Sequence, residues 1–158
     1  MSVLKRHVAL IGFMGAGKTT IGEQVARRLD RPFYDTDQEL ESTFGPIVDY
    51  FATHGEDDFR DIEAMEVESL LSDGHPLVLA LGGGAVMNAK TRELLRKRAI
   101  TVWLDIDVDT AWARSAETDR PLARDESDFR RLYDERLPLY RETADAIARD
   151  ADDVILAA

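Results

Sequence analysis

Residues 12 to 19 read GFMGAGKT and follow directly on the apolar run HVALI. Gly12, Gly17, Lys18 and Thr19 fill the spacing G-x-x-x-x-G-K-[ST], with a further glycine at Gly15. A strand packed in a core would not choose these glycines, because each costs backbone entropy and offers no side chain to pack. The spacing suits a loop whose backbone N–H groups wrap a polyphosphate. The lysine neutralises charge on the β- and γ-phosphates, and the threonine hydroxyl ligates Mg²⁺. An apolar run before the loop and a helical pattern after it supply the required context, and the helix N-terminus adds partial positive charge. These residues predict nucleotide binding and leave the phosphoryl acceptor open.

Five further stretches carry groups suited to an acceptor or to the transferring phosphoryl group. YDTDQEL ends a short β-rich run, and Asp35 and Asp37, two residues apart, point the same way if that segment is extended. One carboxylate then orients a Mg²⁺-bound water while the other accepts a hydroxyl proton or binds a polyol; the alternative makes Asp37 a helix N-cap. In FATHGEDDFRDIE a helix over 58–71 brings Phe59, Arg60 and Glu63 together. Arg60 and Glu63 then form an i,i+3 pair, either a surface pair or an arginine fork held ready for a carboxylate. LVLALGGGAV closes a strand with Gly82, Gly83 and Gly84, which suggests close backbone approach to a ligand as well as a turn. TDRPLARDES reads as a mobile loop whose Arg120 can reach a transferring phosphoryl group, and ERLPLYRETAD places Arg136 and Arg141 around an aromatic on a late helix; either stretch alone reads equally as a solvated face.

The elements that must position these groups alternate. Strands are expected at 7–11, 32–35, 77–81, 100–104 and, weakly, 146–148. Helices are expected at about 18–29, 37–43, 46–52, 58–71, 88–97, 108–116 and 127–142. Near-continuous apolar strands separated by helices predict one α/β domain with a parallel sheet covered on both faces. Within the first helix, Ile21, Gly22, Val25 and Leu29 form the expected buried face. The formal net charge of −11 argues against a nucleic-acid partner. The absence of cysteine excludes disulfides and thiolate chemistry. His7, His54 and His75 lack metal-ligand spacing, and Trp103 and Trp112 read as packing residues. With no membrane-length apolar run, the expectation is a cytoplasmic protein without a membrane partner, acting as a monomer.

Taken in order, GFMGAGKTTIG, DTD, FATHGEDDFRDIE, LGGGAV, RPLA and RLPLYRETAD resemble the successive blocks of the shikimate kinase family and cover nearly the whole chain. The resemblance implies a P-loop fold of the nucleoside monophosphate kinase type over residues 1–158, with a five-stranded parallel sheet flanked by helices. It implies a substrate-binding segment at about 35–63 and a mobile lid at about 114–126. It further implies phosphorylation of the shikimate 3-hydroxyl with ATP and Mg²⁺, on the route to chorismate and the aromatic amino acids. By motif position, Gly15, Ala16, Gly17, Lys18, Thr19 and Thr20 would bind the nucleotide, with Arg120 as the lid arginine on ATP. Thr19, and Asp35 through water, would serve the metal. Lys18, Asp37 and Arg120 would be catalytic. Asp37, Arg60, Arg136 and Gly82 to Gly84 would bind shikimate, with Glu63 orienting that site and Phe51 and Phe59 walling it. RPLA stands where the family commonly has RPLL, and the short end after ADAIARDADDVILAA leaves Arg149 to Asp153 open as adenine contacts. The alternatives are another small-metabolite kinase of this fold, such as a gluconate kinase, or a nucleotide-binding partner module without catalysis.

Overall fold

Valine, isoleucine and leucine dominate the runs that form the middle of the sheet, and their burial on both faces explains why they pair in parallel. The computed structural model describes residues 6–72, 74–115 and 125–158. Five strands lie in the order β2-β3-β1-β4-β5. They are β1 (His7–Ile11), β2 (Phe33–Asp35), β3 (Val78–Ala80), β4 (Ala99–Leu104) and β5 (Ala146–Ala148). All pairings are parallel, with Leu10 opposite Ala80 on one side and Val102 on the other.

Eight α-helices connect and cover the strands among the described residues: α1 (Lys18–Leu29), α2 (Thr36–Phe44), α3 (Ile47–His54), α4 (Glu56–Leu71), α5 (Ala89–Arg98), α6 (Val108–Ser115), α7 (Glu126–Thr143) and α8 (Ala151–Ala157). Alternation along β1 divides the core. Val8 and Leu10 pack with Val25 and Ala26 of α1 and Val154 of α8. Ala9 and Ile11 face the other way, in a cluster with Val67 and Leu71 of α4, Leu95 of α5, and Phe129 and Tyr140 of α7. The buried face of α1 is Gly22, Val25 and Ala26, so it is rotated from the expected stripe: Ile21 and Leu29 are only half-buried. Gly22 is needed there because a Cβ would overlap the Phe33 ring of β2. No helix among the described residues is long and apolar enough to cross a membrane.

The connection from β1 runs to β2 on one side of the sheet, whereas the connection from β3 runs to β4 on the other. Neighbouring strands whose connections diverge leave a crevice beyond their C-terminal ends, where ligands of open α/β sheets bind. The two loops that border this crevice are the GFMGAGKT loop after β1 and the triple glycine after β3. The topology therefore places the two glycine motifs face to face.

Candidate active site

The loop from Gly12 to Gly17 has glycine at each position where its backbone adopts positive φ: 154° at Gly12, 85° at Gly15 and 90° at Gly17. A Cβ at Gly12 would also strike the Leu104 carbonyl, 2.7 Å away. Gly17 caps α1 without any side-chain bond to the first-turn N–H groups. Those donors and the helix dipole consequently face the crevice, as anion binding requires. Lys18 Nζ donates to the Gly12 and Phe13 carbonyls at 2.7 and 3.1 Å, which holds the ammonium across the loop. Phe13 is buried edge-on against Phe129 and Tyr133 of α7, and this anchors the loop to the core. Gly15, Gly17, Lys18, Thr19 and Thr20 line the crevice, whereas the Ala16 side chain packs in the core and leaves only backbone for a ligand.

Thr19 Oγ1 donates to Asp35 Oδ2 at 2.5 Å. The other oxygen of Asp35 accepts from the N–H groups of Asp37 and Gln38, so Asp35 is the N-cap of α2. This corrects two expectations. The N-cap is Asp35 and not Asp37, and the pair is not in one extended segment, because β2 ends at Asp35 and α2 begins at Thr36. Capping by Asp35 leaves Asp37 in the first turn of α2, lining the crevice. The Thr19 hydroxyl and Asp35 carboxylate are hard oxygen donors that fit Mg²⁺. Among the described residues no group of three or more His, Cys, Asp or Glu side chains could hold a metal ion. The pair thus suits an ion that takes its remaining ligands from phosphate and water.

The opposite wall is built around charge. Arg60 donates to Glu63 at 2.8 Å and to Glu56 at 3.2 Å, which realises the expected i,i+3 pair and adds an i,i+4 partner. Its guanidinium lies 5.2 Å from the Phe59 ring centroid and 5.8 Å from that of Phe51. Burial pulls the Arg60 pKa downward, but Glu63 and Glu56 together hold it above the ordinary arginine value. Arg136 of α7 is only 2% exposed, and no carboxylate among the described residues pairs with it. Its guanidinium lies 5.7 Å from the Phe13 ring centroid, and its Nε has no hydrogen-bond partner among the described residues. Burial pushes the Arg136 pKa below the ordinary value; the Arg60 charge acts in the same sense, and Tyr140 and Glu56 oppose it. A buried cation in this state calls for an anion.

The triple glycine fits between these side chains. A Cβ at Gly82 would crowd Asp37 Oδ1 and Glu63 Oε2, one at Gly83 would approach Arg136 and the Met14 N–H, and one at Gly84 would overlap the guanidinium of Arg60 and crowd that of Arg136. Three glycines are therefore required by the charged groups converging on this turn. Asp37, Phe51, Phe59, Arg60, Glu63, Gly82, Gly83, Gly84 and Arg136 all line the same cleft of about 640 Å³ as the phosphate loop.

Glu63 is 1% exposed, and its Oε2 has no hydrogen-bond partner among the described residues. Burial pushes its carboxyl up to about 7, with Asp37 adding to the rise and Arg60 and Arg136 pulling against it. A carboxyl whose folded pKa is raised stabilises the fold most when protonated. Its contribution is full below the unfolded value near 4.5 and declines as pH rises to about 7. The stability of the wild type relative to Glu63→Gln should accordingly fall by about 3 kcal/mol between pH 4 and 8. Urea denaturation of both proteins across that range checks this, and a pH-independent difference would contradict it.

Sequence reasoning did not single out Arg114, Ile47 or Val48, which also line the cleft. Arg114 of α6 donates to the Gly15 carbonyl at 2.9 Å, a long-range contact with no local signature. Ile47 and Val48 precede Phe51 at helical spacing, and that periodicity was the available signal. Arg120 and most of the segment expected as a lid lie outside the described residues; of that segment, Arg114 and Ser115 end α6, Asp125 caps α7 and Glu126 begins it.

A family model described as shikimate kinase matches residues 14–156. A shikimate kinase from Rhodopseudomonas palustris is 47% identical over 148 residues, spanning 90% of this chain and 72% of that protein. Among solved structures, shikimate kinase from Acinetobacter baumannii in complex with shikimate superposes with a TM-score of 0.88 at 37% identity, covering 96% of this chain and 89% of that one. A gluconokinase from Sinorhizobium meliloti reaches a TM-score of 0.58 at 19% identity, covering 99% and 91%, and shares the fold alone.

Proposed function

The chain belongs to the shikimate kinase family, and we propose that it transfers the γ-phosphoryl group of ATP to the 3-hydroxyl of shikimate, a step in aromatic amino acid biosynthesis. The observation that carries the choice of acceptor is Arg136: a buried guanidinium with no carboxylate partner among the described residues, beside Arg60 and facing the phosphate loop. Two converging arginines suit a carboxylate, and a carboxylate opposite them suits a hydroxyl.

In this reading the N–H groups of the loop and Lys18 bind the polyphosphate, with Thr19 and Asp35 on the metal side. Thr19, and Asp35 through water, would hold Mg²⁺, which would supply neutralisation of the phosphate charge. Arg60 and Arg136 grip the shikimate carboxylate, Glu63 orients Arg60, and Phe51 and Phe59 wall the ring. The Gly83 N–H contacts the substrate, and Asp37 holds the reacting hydroxyl. As the substrate oxygen bonds to the γ-phosphorus, the bond to the β,γ-bridging oxygen breaks, ADP departs and the hydroxyl proton passes to Asp37. The work is positioning and charge neutralisation, without a covalent intermediate. Arg120 completes this reading as the arginine over ATP.

ADP release from ATP and Mg²⁺ with shikimate, gluconate, a nucleoside monophosphate or no acceptor tests this assignment. Release that depends on shikimate is expected. Release with gluconate instead would overturn the acceptor and keep the phosphate loop. The same assay checks the glycine turn: Gly84→Ala should raise the KM for shikimate at least about tenfold by displacing both arginines. An unchanged KM would contradict that packing.

A further inference from the structure

The glycine turn after β3 is held from both sides by two hydroxyls. Thr36, fully buried in the first turn of α2, accepts the Gly82 N–H on Oγ1 at 3.1 Å. Tyr140 of α7, also buried, donates its hydroxyl to the Gly83 carbonyl at 2.5 Å. Between these two bonds lies the single peptide joining Gly82 to Gly83, which carries the Gly83 N–H. The carbonyl of that peptide accepts the Ala85 N–H at 3.0 Å within the turn, and the two side-chain hydroxyls fix the turn's position against α2 and α7.

Each anchor is tied to a group of the site. Thr36 adjoins Asp37 in the chain. Tyr140 lies four residues after Arg136, on the same helical face, and its ring stacks on Trp103 of β4 at a centroid distance of 5.9 Å. We infer that Thr36 and Tyr140 are positioning residues that set the Gly83 N–H in register with Asp37 on one side and Arg136 on the other, and so govern affinity for the acceptor. The inference rests on the reading of this cleft as the shikimate site. Thr36→Val or Tyr140→Phe would nearly keep the volume yet leave one buried backbone group of the turn without its partner, and Tyr140→Phe also takes a hydroxyl away from Arg136, so Thr36→Val isolates the turn.

Steady-state kinetics of the wild type, Thr36→Val, Thr36→Ser and Tyr140→Phe, with thermal midpoints for each, tests this. Thr36→Val and Tyr140→Phe should each raise the KM for shikimate about tenfold or more, with the KM for ATP unchanged. Thr36→Ser, which keeps the hydroxyl, should restore the wild-type value. If the two variants lower only kcat and the thermal midpoint, leaving the KM for shikimate unmoved, the hydroxyls serve stability alone and the inference falls. Should Thr36→Val not fold, Tyr140→Phe decides by the same criterion. A wild type with no shikimate-dependent turnover would overturn the acceptor reading, and this inference with it. Turnover with unshifted variants would overturn this inference only.

Discussion

Asp37→Asn is expected to lower kcat by about 10²- to 10⁴-fold while leaving the KM for ATP nearly unchanged. The amide keeps the shape of the carboxylate and its place beside Gly82, but it cannot take a proton from the acceptor hydroxyl. The variant should fold, because the cap of α2 belongs to Asp35. It also removes a negative charge that helps to raise the Glu63 pKa. The measurement is a kcat and KM determination for both substrates. Undiminished turnover would remove Asp37 as the proton acceptor; a rise in the KM for shikimate without loss of kcat would reduce its role to binding.

Arg136→Met should have an effect of similar size on a different constant. The proposed charge-assisted contact to the acceptor carboxylate would be lost, and kcat/KM for shikimate should fall by about 10²- to 10³-fold. Stability should move the other way. Burial depresses the pKa of the guanidinium, which means that its surroundings disfavour the charge. Methionine fills much of the same volume without one. Higher thermal stability combined with weak shikimate binding is the combination that marks a binding charge held at a cost in stability. A variant that loses stability and keeps shikimate affinity would identify Arg136 as a structural cation instead.

Legibility in the sequence followed the range of the interactions. β1, the phosphate loop and α1 begin and end where the sequence places them, because glycines at positive φ and an apolar strand are local requirements. The same holds for Arg60 and Glu63, whose contact is set by helical spacing. The DTD segment was half legible. Its two carboxylates were identified, but which one caps α2 depends on where β2 stops, and that is decided by pairing with β3. The triple glycine pointed to close approach, and the approaching groups proved to include Asp37, Glu63, Arg60 and Arg136 of the same chain. Thr36, Tyr140 and Arg114 carried no local sign. Their roles arise from contacts across 46, 57 and 99 residues, which only the folded sheet and its covering helices create.

The most direct test of the account compares product formation from shikimate with that from its methyl ester, at equal concentrations with ATP and Mg²⁺. The ester keeps the ring and the 3-hydroxyl but removes the charge that Arg60 and Arg136 are proposed to read. Rapid phosphorylation of the acid, with kcat/KM for the ester lower by at least about 100-fold, is the predicted result. Equal use of acid and ester, or no phosphorylated product from either, would contradict it.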